Sequence, residues 1–256
     1  MTEHSQENRR LWNEWSDDFQ ALWNADTDNG ELPPTPSPFE PEAPGGRQRG
    51  ILTSVEGKDY VELGCGGGQA AVGTAERGAE TVVGVDFSGE QLRHARQLRE
   101  FCGVDVQFVT GDVTDLPLAD DRFDIASSEW AFQMVEHLDQ ALDEAHRVLR
   151  DGGVFVLSAP HPVYETLDTD RGIVDGNYFD IGPRKITIDE DYESTLTVFD
   201  RTVADLHNGL VDAGFAVRRI IEHRQREVEE NQPSESDLPE ILWNVPKSVR
   251  FWAVAE

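Results

Sequence analysis

Residues 59–69 read DYVELGCGGGQ, a short apolar run followed by glycine at four of the five positions 64–68. An apolar run of this length that stops at glycines is a buried strand entering a tight turn. Such a turn lets a ligand come closer than side chains would permit. A helix opening at its far end offers free N–H groups to an anion. The same pattern recurs downstream. QAAVGTAERG is a helix ending near Gly78, and TVVGVDF is a second strand. SGEQLRHARQLREFCG is a long helix with Ser88 as N-cap and Gly103 as its stop. VQFVT, FDIASS and VFVLSAP read as three more strands, the last preceded by the helix LDQALDEAHRVLRDGG. Continuous apolar strands alternating with helices predict a parallel sheet covered on both faces. Right-handed crossovers make it a doubly wound α/β sheet.

The flanks follow other rules. Residues 7–23 place Leu11, Trp12, Trp15, Phe19, Leu22 and Trp23 on one helical stripe, which something must cover. A proline-rich stretch, PPTPSPFEPEAP, then returns the chain to the sheet as an extended linker. Residues 161–197 interrupt the alternation with two acidic loops and KITIDEDYESTLTVF, which alternates like a hairpin. RTVADLHNGLVDAGF is a helix ending at Gly214, and AVRRIIEH and SVRFWAVAE are antiparallel neighbours. The expected division is a helical cap and linker over 1–50, a core over 51–160, an insertion over 161–197 and a completing segment over 198–256.

Composition narrows the partners. The formal charge is −28, from 50 Asp and Glu against 22 cations, of which only Lys58, Lys185 and Lys247 are lysine. Acid spread along a lysine-poor chain predicts salt adaptation, since about 1 M salt screens carboxylate repulsion beyond roughly 3 Å. The basic clusters are short (Arg9-Arg10, Arg93 to Arg99, Arg218-Arg219), which argues against a nucleic-acid face. Cys65 and Cys102 form neither a disulfide framework nor a metal-ligand spacing, and no metal is expected. No apolar run approaches the 18 residues of a membrane span, so the expectation is a soluble, cytoplasmic protein.

Ligands of an open α/β sheet sit at the carboxyl ends of its strands. A dinucleotide fingerprint needs glycine at 64, 66 and 69, but position 69 is Gln, and no Gly-Lys-Ser/Thr phosphate loop follows. Asp86 ends the second strand, where a carboxylate can accept from two ribose hydroxyls. Asp112 follows the third strand, suited to an adenine amino group, with the Val113 N–H available to the ring. A lone Asp more often caps a helix or turn, but two at neighbouring strand ends, with Glu62 inside the first strand, form a set.

These residues resemble the class I S-adenosylmethionine-dependent methyltransferases. The likeness lies in VELGCGGG, VVGVDFS, VTGDVTDLPLADDRFDIASS and EAHRVLRDGGVFVLSAP, over about residues 55–160. It implies a Rossmann-like seven-stranded sheet of order 3-2-1-4-5-7-6 with strand seven antiparallel. It also implies S-adenosyl-L-methionine as cofactor and S-adenosyl-L-homocysteine as product. By the same resemblance Gly64 and Gly66 would face the methionine moiety, Asp86 the ribose, and Asp112 and Val113 the adenine, with Glu62, Cys65 and Phe87 also among the cofactor-binding residues. Ser128 would line the same pocket. Family members with small-molecule acceptors often begin with an aromatic helix over the cofactor, and here Trp15 or Phe19 would close it, Phe19 standing where a tyrosine is usual. The implied activity is methyl transfer to a small-molecule acceptor. The DNA amino-methylating pattern, Asn or Asp-Pro-Pro-aromatic after the fourth strand, is replaced by SSEW. A Tyr-x-x-x-Lys oxidoreductase pair is missing too. An RNA methyltransferase and a non-catalytic cofactor-binding protein remain the alternatives. His161, just past the fifth strand, titrates near neutrality and is the candidate general base or acceptor contact. Glu129, Trp130, Tyr164 and Tyr178, with Phe179, are candidate acceptor-side wall.

Overall fold

The computed structural model describes residues 1–25, 54–189, 192–224 and 240–256. The proline-rich linker expected after residue 25 lies outside the described residues. A long helix, α1 (Glu3–Ala25), opens the chain, extending the expected stripe by a turn at the start. The alternating region follows: β1 (Asp59–Leu63), α2 (Gln69–Glu76), β2 (Thr81–Asp86), α3 (Gly89–Cys102), β3 (Gln107–Thr110), β4 (Phe123–Glu129), α4 (Leu138–Val148) and β5 (Leu149–Pro160). Then come two short pairs, β6 (Leu167–Asp168) with β7 (Ile173–Val174) and β8 (Gly182–Ile186) with β9 (Leu196–Asp200). The last elements are α5 (Val203–Asp212), β10 (Phe215–Arg224), α6 (Glu240–Asn244) and β11 (Pro246–Ala255).

Seven strands form one sheet in the order β10-β11-β5-β4-β1-β2-β3. β1 through β5 run parallel, and β11 runs antiparallel to both β5 and β10. This is the expected Rossmann-like order with its reversed last strand. One face carries Val61, Leu63, Phe123, Phe155, Leu157 and Phe251 against α4 and α5, all nearly inaccessible. The other carries Tyr60, Val82 and Ile125 against Val72 of α2 and Leu98 of α3. Each buried side chain of this size contributes about 1.5–3 kcal/mol through burial, so the double-sided core dominates stability.

The ends of the helices obey their local chemistry. Ser88 Oγ accepts from Gln91 N–H and Gly103 closes α3 at φ 67°. Thr202 and Asp205 form a reciprocal capping box on α5. The expected hairpin of the insertion is present as β8–β9. Two readings shift. β5 starts at Leu149, not at Val154, because α4 stops at Val148 and the chain re-pairs with Phe123 before bulging through residues 150–153. Leu22 is 62% exposed and does not share the covered stripe of α1. The fully covered positions of that helix are Asn8, Leu11, Ser16 and Gln20.

Candidate functional site

The glycine loop leaves β1 between its neighbours β2 and β4. Gly64 N–H and Cys65 N–H both donate to Val85 O, at 2.8 and 3.0 Å, pinning the loop to the end of β2. Gly66 sits at φ 51°, a left-handed conformation that other residues adopt at a cost of 1 kcal/mol or more. Its N–H donates to Asp86 Oδ2 at 2.8 Å, and Ser88 N–H donates to Oδ1 at 2.8 Å. Asp86 is only 7% exposed. Burial pushes its carboxyl up to about 6, against the opposing pull of the Ser88, Gly66 and Phe87 N–H groups.

Register brings the other predicted residues to the same edge. Asp86 pairs with Thr110 across β2 and β3, and Gly111 N–H donates to Asp86 O at 3.0 Å, so Asp112 emerges beside it. Asp112 Oδ1 accepts from Thr114 N–H and Oγ1–H at 3.0 and 2.8 Å. Its Oδ2 is buried without a hydrogen-bond partner among the described residues and lies 3.6 Å from the Met1 amino group. Val113 is half-buried against the main core, and Phe87 is half-buried. Glu62 pairs in register with Ser127, which places Ser128 one residue further toward the loop. Ser128 Oγ and Glu62 Oε2 are likewise buried without hydrogen-bond partners among the described residues. Burial first, and Glu129 second, hold the Glu62 carboxyl well above the ordinary range, while the Ala71 N–H pulls it down. Burial also raises the Cys65 thiol, together with Asp86 and Glu62, which favours its neutral form.

The remaining glycines answer to close neighbours. A Cβ on Gly64 would stand 2.3 Å from Ala131 Cβ, and one on Gly67 would stand 2.4 Å from Gln20 Nε2. Gln20 belongs to α1, which lies directly over the loop. It accepts from Gln69 Nε2 at 2.6 Å and donates to Gln91 Oε1 at 2.7 Å. Ser88 Oγ donates to Asn13 Oδ1 at 2.9 Å, and Asp17 pairs with Arg93 and His94. Asn8 closes a reciprocal pair with the Thr197 backbone, at 2.8 and 2.7 Å, tying the same helix to β9. Trp15 and Phe19 are half-buried and meet Trp12 in tilted and edge-on contacts, with centroids 4.9–5.2 Å apart. The helix therefore holds its place by amides as much as by aromatics. The sequence pattern did not flag Gln20, Asn8 or Asn13. Gln69 was visible only as a missing glycine, yet it is the loop's hydrogen bond to the helix.

Beyond β4 the backbone is strained. Trp130 adopts φ 56°, rare for a bulky residue, and its N–H donates to Ser158 O at 3.0 Å. Glu129 Oε2 accepts from Arg250 at 3.1 Å, and Arg250 Nε donates to Ser158 Oγ at 3.1 Å. Burial raises the Glu129 carboxyl while Arg250 opposes it, and Oε1 has no hydrogen-bond partner among the described residues. His161 is buried with both ring nitrogens engaged. Val163 N–H donates to Nδ1 at 3.1 Å, which fixes the proton on Nε2, and Nε2 meets Glu222 Oε1 at 2.9 Å. Burial lowers its pKa, against the Glu222 carboxylate. Tyr164 opens a short 3-10 turn, and its N–H donates to His161 O at 2.8 Å. Tyr178 OH accepts from Val203 N–H at 3.1 Å, capping α5, with Phe179 edge-on beside it. Arg250 and Glu222 carried no sequence signal, because both depend on how β10 and β11 return to the sheet.

The residues at the glycine loop fit a nucleoside with a cationic tail. Asp86, Asp112 Oδ2 and Ser128 Oγ offer hydrogen-bonding groups for hydroxyl and amino functions. Around the Cβ position of Gly66 no atom comes closer than 3.8 Å, leaving room beside the backbone. Among the described residues no cluster of His, Cys, Asp and Glu could hold a metal, and no helix is long and apolar enough to cross a membrane.

Known proteins point the same way. Residues 61–157 match the family described as "Methyltransferase domain". A fatty-acid O-methyltransferase of Mycolicibacterium smegmatis is 28% identical over 66% of this chain and 63% of its own length. A demethylmenaquinone methyltransferase of Thermus thermophilus is 36% identical over 45% of this chain and 54% of its own. The chain thus spans just over half to under two thirds of these two relatives. An S-adenosylmethionine-dependent methyltransferase from Mesorhizobium loti superposes with a TM-score of 0.66 at 29% identity, covering 79% of this chain and 93% of that one. With that sheet order, this loop and the acids at the ends of β2 and β3, residues 61–157 form a methyltransferase domain of the class I S-adenosylmethionine-dependent kind.

Proposed function

We propose that the protein moves a methyl group from S-adenosyl-L-methionine to a small-molecule acceptor, leaving S-adenosyl-L-homocysteine. The observation that carries this reading is Asp86. It is a buried carboxylate that takes the Gly66 N–H on one oxygen and the Ser88 N–H on the other, at the strand end beside the glycine loop. In the bound state it would accept from the ribose hydroxyls. Asp112 Oδ2 would accept from the adenine amino group, Val113 N–H would serve the ring, and Ser128 would line the pocket. The cofactor supplies a sulfonium-activated methyl, whose carbon–sulfur bond breaks with its electron pair left on sulfur as the acceptor's lone pair bonds to carbon.

The protein's own work is then alignment and exclusion of water, with a base needed only where the acceptor must lose a proton. The α1 helix is a lid that must lift its amide contacts from the loop before the cofactor can settle, and residues 161–197 form the acceptor side. The relatives act on a fatty acid and on demethylmenaquinone by name, which supports an apolar small molecule. His161 reaches base duty only by giving up the Val163 N–H, which occupies its one ring lone pair, so its ordinary work is to fix the chain after β5. Equal methylation rates for wild type and His161→Ala would remove it from the chemistry.

Thermal unfolding in molar salt with S-adenosylmethionine, its demethylated product, NAD and ATP tests the whole reading. A ligand at 100 times its dissociation constant adds about 2.7 kcal/mol. Stabilisation by the first two compounds is expected. Stabilisation by NAD in their place would overturn the proposal.

A further inference from the structure

A cavity lies under the β8–β9 hairpin, about 310 Å³ in volume, between the end of β5, the turn after β4 and α5. Its size is at the lower bound for small-ligand sites. It shares a wall with the glycine loop. Ala131 packs over Gly64, while Phe132 and Gln133, the next two residues, line the cavity. Whatever sits there is therefore separated from the methyl-donor loop by one short turn, the turn strained at Trp130.

The lining indicates what can enter. Phe132, Ala159, Leu196, Val198, Phe199 and Leu206 make most of it apolar. Its two arginines are already spent. Arg184 is held by both oxygens of Asp200, at 2.7 and 2.9 Å, and by Glu165 at 2.6 Å. Arg201 donates to the carbonyls of Phe132, Phe199, Val135 and Glu136. Glu165 and Asp200 are the partners of Arg184, and with Asp180 the three lining carboxylates outnumber the two arginines by one. A carboxylate or phosphate would enter a lining with one excess negative charge and would have to draw a guanidinium away from its present partners. By contrast, Gln133 Oε1 is buried and accepts no hydrogen bond among the described residues, while its Nε2 donates to Trp130 O at 2.6 Å. A hydroxyl or N–H on the occupant would satisfy it. At the mouth, beside Tyr178 and Asp180, Phe179 and Ile181 stand 77% and 58% exposed and extend the apolar surface outward.

We propose that this cavity is the acceptor site and that the acceptor is an uncharged, largely apolar alcohol, phenol or amine whose donor group meets Gln133. The term acceptor rests on the methyl-transfer reading. The binding preference does not. Titration calorimetry with 2-naphthol and 2-naphthoate, each with and without S-adenosyl-L-homocysteine, tests it on the full chain. Naphthol should bind at least tenfold more tightly than naphthoate. Val198→Trp should weaken naphthol at least tenfold and leave S-adenosyl-L-homocysteine affinity within twofold. Gln133→Leu, a milder change at a half-buried position, should weaken naphthol severalfold and keeps the test open if the tryptophan variant does not fold. Naphthoate binding as tightly as naphthol, absent naphthol binding, or naphthol binding unchanged in the folded variants each overturns the proposal. Naphthol binding without S-adenosyl-L-homocysteine binding would defeat the methyl-transfer reading alone, and the converse would defeat the cavity alone.

Discussion

The two sides of the sheet's carboxyl edge are built on different principles. At β1, β2 and β3 the site is made of backbone: glycine turns, N–H groups aimed at Asp86, and acids fixed by strand register. On the far side, over residues 161–200, side chains hold the shape, through the Arg184 ion pairs, the Arg201 carbonyl collar and His161 on Glu222. A backbone-built site is fixed by local sequence and tolerates little change. A side-chain-built site can be refitted to a new acceptor by a few substitutions without disturbing the first.

Breaking the backbone side should therefore cost most. Asp86→Ala removes the acceptor of two hydroxyl hydrogen bonds to a charged group, about 3 kcal/mol or more, and methyl-donor affinity should fall some hundredfold by calorimetry. Naphthol binding in the same variant should not move. A smaller effect in Asp86→Ala than in Val198→Trp on methyl-donor affinity would erase the distinction between the sides. Gly64→Ala pushes a methyl to 2.3 Å from Ala131 at φ 77°. It should destabilise the fold by about 2–3 kcal/mol in denaturant titration, combining overpacking and left-handed strain.

The pH response separates the sides next. Asp86 titrates at about 6 when folded, above its ordinary 3.8. Between those values the folded chain keeps a proton that the unfolded chain has released. The ligand-free fold should thus lose stability from this group as pH rises through the window, on the order of 3 kcal/mol. Methyl-donor affinity runs the other way. It needs the carboxylate, so it should be full above pH 6 and fall about tenfold per unit below, about 1.4 kcal/mol each. Affinity for uncharged naphthol should not follow that curve. The smallest effects are the caps. Ser88→Ala and Thr202→Ala should each cost about 1 kcal/mol in thermal unfolding, one beneath each side, and only the first should loosen α1.

Legibility followed the same division. The doubly wound sheet and the place of Asp86, Asp112 and Glu62 could be read because strand period, glycine turns and crossover handedness are local or chiral rules, while the order of the seven strands came only with the family resemblance. The N-terminal helix was half legible. Its aromatic stripe was plain, but its grip on the loop is Gln20, and an amide on a helix looks like any solvated residue until its partners are placed. Gln20, Gln69 and Gln91 are 49 and 71 residues apart along the chain and meet only when α1 crosses α2 and α3.

By itself, then, the sequence determined the doubly wound sheet and the acid-and-glycine loop at its carboxyl edge, since hydrophobic period and backbone conformation act within a few residues. Tertiary structure alone decided that Gln20 covers the loop, that His161 is held by Glu222, and that a cavity opens beneath the β8–β9 hairpin. Each of those joins side chains from segments tens of residues or more apart. Their energies depend on burial and hydrogen-bond geometry that exist only after the sheet has closed.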